Sequence, residues 1–518
     1  MAAGTTFIAD LKGDKGDKGD EGPQGDKGDI GDGYDGYFDD VLWALTFLNG
    51  GRTWLEVDEA GGPTQYAVGK LQQAIGSPGG RFIAPTGSND HTSINAALIA
   101  FPVVVLSGTY VLGDAVKMPS NRTLILQNAT LRLAGGVNSN VIRNLDQDEG
   151  GNSNIRVIGI GGAVLDGNGS NQTRQTTAGW KNVGVNFVNA HNYVVRGVTI
   201  KDTNCFGALQ VGSTEGVWSD ITFSQDRSVT NQDGIDIGPG CSNIFINNVR
   251  GVIEDDMFSI FAKYTTSART IHPLYVPGGA MYSAAGNDTH HIYINDVHID
   301  TTKSLFRMQA AEGSKLHHVY ASNVNHTGVE RCHAFVNLGE LVSRYIEGTF
   351  PAQDGSDFHD IHIDGLSGAV GRMVYVSTNA RDVHLSDLTS DDWGGVIGTM
   401  SADEGTVTNL SIDGVTTTST ESGKFGSVVA IAGASVGTRR INGLTITGLN
   451  LAAVASISNS SATVTDANIS GQVGAVYGTM FAGSRPIVGR VSVAVIDNRT
   501  LNVGDLPSRT STYSSITN

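Results

Sequence analysis

From about Arg81 onward, apolar and polar positions alternate in short runs. Each run is an alternating strand followed by Asn, Asp or Gly and another apolar residue. The runs NIRVIGIGG, NYVVRGVTI, VWSDITF, NIFINNVRG, HIYINDVHI and KLHHVYASNV lead on to FHDIHIDGL, DVHLSDL, VTNLSIDGV and RINGLTITGL. Alternation with a period of two predicts strands, and the Asn, Asp and Gly between them predict turns. The equivalent apolar positions Val198, Ile221, Val249, Val297 and Val324 follow one another at intervals of 23, 28, 48 and 27, the 48 reading as about two coils. Leu366, Leu388 and Val415 continue at 22 and 27. A period in the twenties fits β-solenoids and leucine-rich repeats. The leucine-rich frame is absent, and a sandwich has no fixed coil length. The pattern therefore predicts an all-β chain wound into a parallel β-helix, in which each coil packs on its neighbours.

The same pattern marks the ends of the solenoid. IAPTGSNDHTSINAALIA reads as a turn, an N-cap and a short apolar helix that would plug the open end, and VVVLSGTYVL then starts β-structure. The β-helix is assigned to 81–455. Beyond it the repeat weakens, and 456–518 is read as a β-rich cap or trimerisation region. Residues 37–80 form a mixed neck, with helical runs at 37–50 (YFDDVLWALTFLNG) and 65–75. Glycines 13, 16, 19, 22, 25, 28 and 31 open seven Gly-X-Y triplets within 13–36. Only glycine fits the axis of a collagen triple helix, so a collagen-like stem is predicted and with it a homotrimer. Residues 1–12 are left as an attachment segment.

Composition narrows the partners. A formal net charge of −17 argues against nucleic acid and against an anionic membrane surface. No run of about 18 apolar residues is present to span a bilayer, and residues 1–12 lack the basic and apolar regions of a signal peptide. Cys205, Cys241 and Cys332 are odd in number and widely spaced. That is neither a disulfide framework nor a zinc site, and buried free thiols are expected. No metal and no cofactor is called for.

One stretch carries candidate chemistry: TNQDGIDIGPGCSNIFINNVRGVIEDDMFSI, residues 230–260. Asp255 and Asp256 follow Asp233 at the length of one coil. Adjacent rungs of a parallel sheet lie about 4.8 Å apart, so these carboxylates are expected to meet on one face, with Asp236 close by. Crowded carboxylates cannot all ionise, and the raised pKa of one gives a proton donor beside a charged partner. Glycoside hydrolysis needs that pairing. The structural alternative has Asp233 and Asp236 ending a turn, with Asp255 and Asp256 facing solvent.

NQDGID followed one coil later by EDDMFSI resembles the NTDGID and GDDCIAI motifs of the polygalacturonases and related glycoside hydrolases. NIRVIGIGGAVLDGNG and VGVNFVNAHNYVVRGVTIKD resemble earlier coils of that family, and SLFRMQ stands where the family has GIRIK. The resemblance covers about a third of the chain, 154–324. It implies a right-handed helix and hydrolysis with inversion. It makes Asp255 the general acid, with Asp233 and Asp256 activating and positioning the water. It also implies that Asn231 orients Asp233, and that Arg307 and Gln309 bind sugar. The family's Lys is Gln309 here, which removes a countercharge and points to a sugar other than a uronate. The family's GHG histidine has no clear counterpart. Residues 261–289 are an apparent insertion closed by His290 and His291, read as turn residues.

A collagen-like stem, a neck, a capped β-helix and a β-rich tail together resemble a bacteriophage tail spike, and FIADLKG before the triplets resembles the start of phage tail proteins. The resemblance implies a virion protein joined to tail or baseplate proteins by its N-terminus, degrading a host capsular or other surface polysaccharide. Two alternatives stay open: an adhesin that grips the polysaccharide without cutting it, and a polysaccharide lyase on the same fold.

Overall fold

A computed structural model describes residues 80–497, apart from 148–149, 174–181, 263–287, 311–312, 340–356, 377–378, 399–405, 432–439, 461–462, 478–480 and 483–486, and also residues 512–513. The expected stem, the attachment segment and the neck up to residue 79 lie outside the described residues, as does most of 498–518.

Among the described residues the strands form two sheets, of 16 and 13 strands. Successive strands alternate between them from Val103–Leu112 and Val116–Met118 to Phe481–Ala482 and Ile487–Asp497, and every pairing is parallel. Each coil therefore gives one strand to each sheet. The result is a right-handed parallel β-helix, the hand that parallel crossovers take. The two sheets run on past residue 455: Ser456–Ser460 extends the smaller and Thr463–Val476 the larger.

The register bears out the apolar spacing. Ile221 pairs with Val249, Val249 with Val297, Val297 with Val324, and Leu366 with Leu388. One reading is corrected. The long step from Val249 to Val297 joins directly paired neighbours, so it is one coil lengthened by an insertion and not two coils. The extra residues fall in sequence between the smaller-sheet strand Phe258–Ala262 and the larger-sheet strand Thr289–Asp300, and the register on either side is unbroken.

The Asn, Asp and Gly of the sequence pattern sit where the larger-sheet strands bend. Asp220, Asn248, Asp296 and Asn323 have φ of 53–55° and occupy one row. These residue types tolerate the left-handed region better than others do. Their side chains bond along the axis: Asn248 Nδ2 donates to Asp220 Oδ1 at 2.6 Å, and Asn323 Nδ2 to Asp296 Oδ1 at 2.9 Å. Between the bends, alternate apolar residues point inward. Trp218, Ile246 and Ile294 stack in register, all fully buried. One continuous apolar core runs from Ile94 to Val493.

The helix His91–Ala100 closes the first coils, burying Ile94, Ala97 and Leu98 in that core. Asp90 precedes it but does not cap it with its side chain. Its carboxylate accepts from the Thr86 and Val111 amides instead, at 2.6 and 2.8 Å, and so ties the helix start to the strand Val103–Leu112. The three cysteines are buried and none forms a disulfide, as expected.

Candidate active site

Two turns at one corner of the helix, both leading from the larger sheet into the smaller, hold the aspartates. The first joins Thr214–Ser224 to Ile235–Ile237 and carries Asn231 and Asp233. The second joins Ser242–Val252 to Phe258–Ala262 and carries Asp255 and Asp256. Asp236 pairs with Ser259, which fixes the length of this coil, and an equal step from Asp233 arrives at Asp256. The backbone confirms that the two are level: the Gly234 amide donates to the Asp256 carbonyl at 2.9 Å, and the Asp255 amide to the Gln232 carbonyl at 3.3 Å.

Asp236 joins this group, a role beyond its place in the sequence motif. In Ile235–Ile237 the two isoleucines face the core, so the residue between them faces out. Apolar–acidic–apolar alternation was the signal for it. Its column continues through Ser259, Arg307 and Asn337. That column places Arg307 two rungs from Asp236. Arg307 Nη1 donates to Asp256 Oδ2 at 3.0 Å, and the Ser304 amide donates to Asp256 Oδ1 at 2.8 Å. Both oxygens of Asp256 are thus held. Ser304 and Ser259 have no sequence signal apart from their register.

Burial divides the four carboxylates. Asp233, Asp236 and Asp256 expose 4%, 1% and 2% of their surface, whereas Asp255 is half-buried and reaches solvent. Among the described residues, Asp233 Oδ1 and Asp236 Oδ2 are buried with no hydrogen-bond partner. Burial first, and then repulsion from the neighbouring carboxylates, drive the pKa values of Asp233 and Asp236 well above the ordinary range. Burial, then Asp256 and Glu254, push Asp255 up to about 7. The corner therefore combines a solvent-reaching acid that is protonated near neutrality with a carboxylate paired to a guanidinium one residue away.

The remaining expected residues are less direct. Asn231 adopts φ 61°, and its amide donates to Glu254 Oε2 at 2.8 Å, which links the two turns. Gln309 is buried on Ser304–Ala310, two residues from Arg307 and paired with Phe261. On the other side of Asp236 the column continues with Leu209, which belongs with Phe206, Val211 and Phe261 to a small buried apolar cluster. His290 and His291 are not turn residues. They lie within Thr289–Asp300 on the larger sheet, so they are not in the aspartate corner.

No protein-family model matches the chain, and no curated protein matches it. Solved structures similar to it include the family 28 exopolygalacturonase of Yersinia enterocolitica (14% identity, 84% of this chain and 77% of that one, TM-score 0.39). The endo-xylogalacturonan hydrolase of Aspergillus tubingensis is 13% identical over 84% and 100% of the two chains, with a TM-score of 0.39. An N-terminal fragment of gene product 12 of bacteriophage phi29 is 13% identical over 83% and 84%, with a TM-score of 0.45. The β-helix assignment stands on the two parallel sheets themselves.

Proposed function

We propose that this chain is a glycoside hydrolase that cleaves a surface polysaccharide with inversion, and that three copies act together as a bacteriophage tail spike. One observation carries the hydrolytic reading. Asp255, which reaches solvent and is raised to about 7, stands beside Asp256, whose two oxygens are held by Arg307 and Ser304.

Asp255 donates its proton to the departing glycosidic oxygen. Asp256 and Asp233 orient a water on the other side of the sugar ring and take its proton as the water attacks the anomeric carbon. The raised pKa of Asp233 reflects its burial with other carboxylates, so Asp256, already facing a cation, is the stronger claimant to the base. A lyase would need a basic residue free to abstract a proton, and Arg307 is engaged by Asp256. The neutral amide at Gln309 favours a sugar without a carboxylate at that subsite.

The spike setting draws on the Gly-X-Y triplets and on the order of segments, with attachment through the N-terminus and action at the host cell surface. The test is to incubate the full chain with capsular polysaccharide extracted from candidate hosts. New reducing ends without ultraviolet absorbance from unsaturated uronate identify hydrolysis. Unsaturated product identifies a lyase, and retention of polymer without cleavage identifies an adhesin.

A further inference from the structure

A second cluster of ionisable groups lies on the larger sheet. Its three rungs are Thr289–Asp300, Lys315–His326 and Asp357–Ser367. His290, His317 and His359 are in register, and the next residues, His291, His318 and Asp360, form the adjoining row. In a straight strand, adjacent side chains point to opposite faces. Here the second residue of each pair is left-handed, with φ of 56°, 54° and 53° at His291, His318 and Asp360. The bend brings both side chains of a pair together. His290 Nδ1 lies 2.7 Å from His291 Nδ1, His317 Nδ1 2.6 Å from His318 Nδ1, and His359 Nδ1 2.7 Å from Asp360 Oδ2. On the flanking rungs the same positions carry Ser242 and Asn243 on one side and Arg381 and Asp382 on the other, so the contiguous block of imidazoles spans three coils, with His191 in the same column two rungs beyond Ser242.

The rings stack along the axis. His290 stacks on His317 with centroids 5.0 Å apart and planes at 12°, and His317 stacks on His359 at 4.7 Å and 2°. His291 stacks on His318 at 4.7 Å and 13°. One ligand atom from each of His317, His318 and His359 lies within 4.8 Å of the others. Zinc–nitrogen bonds of about 2.0–2.1 Å need coordinating atoms about 3.3 Å apart, so His359 turns out of its stack on His317 to bring the three ring nitrogens onto one ion.

We propose that His317, His318 and His359 bind a zinc-class divalent transition metal, with Asp360 orienting His359 and a fourth position left to water. Three imidazoles suit zinc, nickel or copper and not magnesium or calcium. A carboxylate hydrogen-bonded to a ligand histidine is the usual support for such a site. The ion ties Lys315–His326 to Asp357–Ser367, two coils whose chain connection includes the long segment 340–356. It is a brace for the larger sheet, apart from the turns that carry Asp233, Asp255 and Asp256.

The test is calorimetric titration of the chelator-stripped full chain with zinc chloride, with magnesium chloride as control, followed by thermal unfolding with and without zinc. The expected result is saturable zinc binding at micromolar affinity or tighter, no response to magnesium, and an unfolding midpoint raised by zinc. His317→Asn and His359→Asn each weaken binding at least about tenfold while keeping the circular dichroism of the parent. Asp255→Asn leaves zinc binding unchanged. X-ray absorption of zinc bound to the unaltered chain reads the ligands without any substitution, and imidazole scattering is expected. Absence of saturable binding, binding unchanged in both histidine variants, loss on Asp255→Asn, or an oxygen-only shell overturns the proposal.

Discussion

Asp233 and Asp256 stand on adjacent rungs at the same level: the amide that follows Asp233 donates to the Asp256 carbonyl at 2.9 Å, although a full coil of chain separates the two. A carboxylate cluster built this way is as rigid as the β-ladder beneath it. The backbone is already paired, so crowding of the acids cannot be relieved by moving the turns apart without breaking strand register. Burial, and then this repulsion, raise the pKa values instead.

The first prediction concerns the ion pair. Arg307→Met removes the guanidinium 3.0 Å from Asp256 and leaves a carboxylate that is 2% exposed with its partner gone. Breaking a buried pair costs about 3–5 kcal/mol, and loss of a positioned charge at a reacting centre costs roughly 100-fold in turnover. Thermal unfolding and rate measurements on the same variant should both move, with the stability loss visible without substrate.

The second concerns pH. Asp255 must be protonated to act as the acid, so kcat/KM should fall as pH rises through about 7. Stability should follow the same sense. The folded chain holds protons on Asp233, Asp236 and Asp255 more tightly than the unfolded chain, whose carboxylates titrate near 3.8. Their favourable contribution is complete below about pH 4 and is lost as pH rises through the folded-state values, about 7 for Asp255. Asp236→Asn should therefore raise the unfolding free energy at pH 8 by on the order of 1 kcal/mol and flatten its pH dependence, which denaturant titrations at pH 5 and pH 8 measure.

Much of this corner was legible in the sequence because the coil length could be counted there. The step from Asp233 to Asp256 is the register itself, with Asp255 one residue before it, and apolar positions such as Ile221 and Val249 pair as their spacing implies. The step from Val249 to Val297 misled for the converse reason: an insertion between strands lengthens a coil without leaving a mark in the alternation on either side. Arg307 pairs with Asp256 across 51 residues, a contact the motif resemblance implied only as sugar binding. The histidine rungs were hidden by the backbone. Adjacent histidines in an alternating strand should point apart, and only the left-handed residue at each bend turns them together.

The third prediction tests those bends. Asn248 has φ 53° and bonds Asp220 at 2.6 Å. Asn248→Val forces a β-branched residue into the left-handed region and should cost about 1–3 kcal/mol. Asn248→Gly keeps the conformation and should cost less. Equal losses in the two variants, compared by thermal unfolding, would show that the hydrogen bond and not the conformation sustains the row.

The central claim is that Asp255 is the acid of a glycosidase. The most direct measurement compares reducing ends released from the cleaved polysaccharide by the parent chain and by Asp255→Asn, with polymer binding and oligomeric state followed in parallel. The predicted result is a fall in turnover of at least about 100-fold with binding and assembly retained. Turnover equal to that of the parent would contradict it.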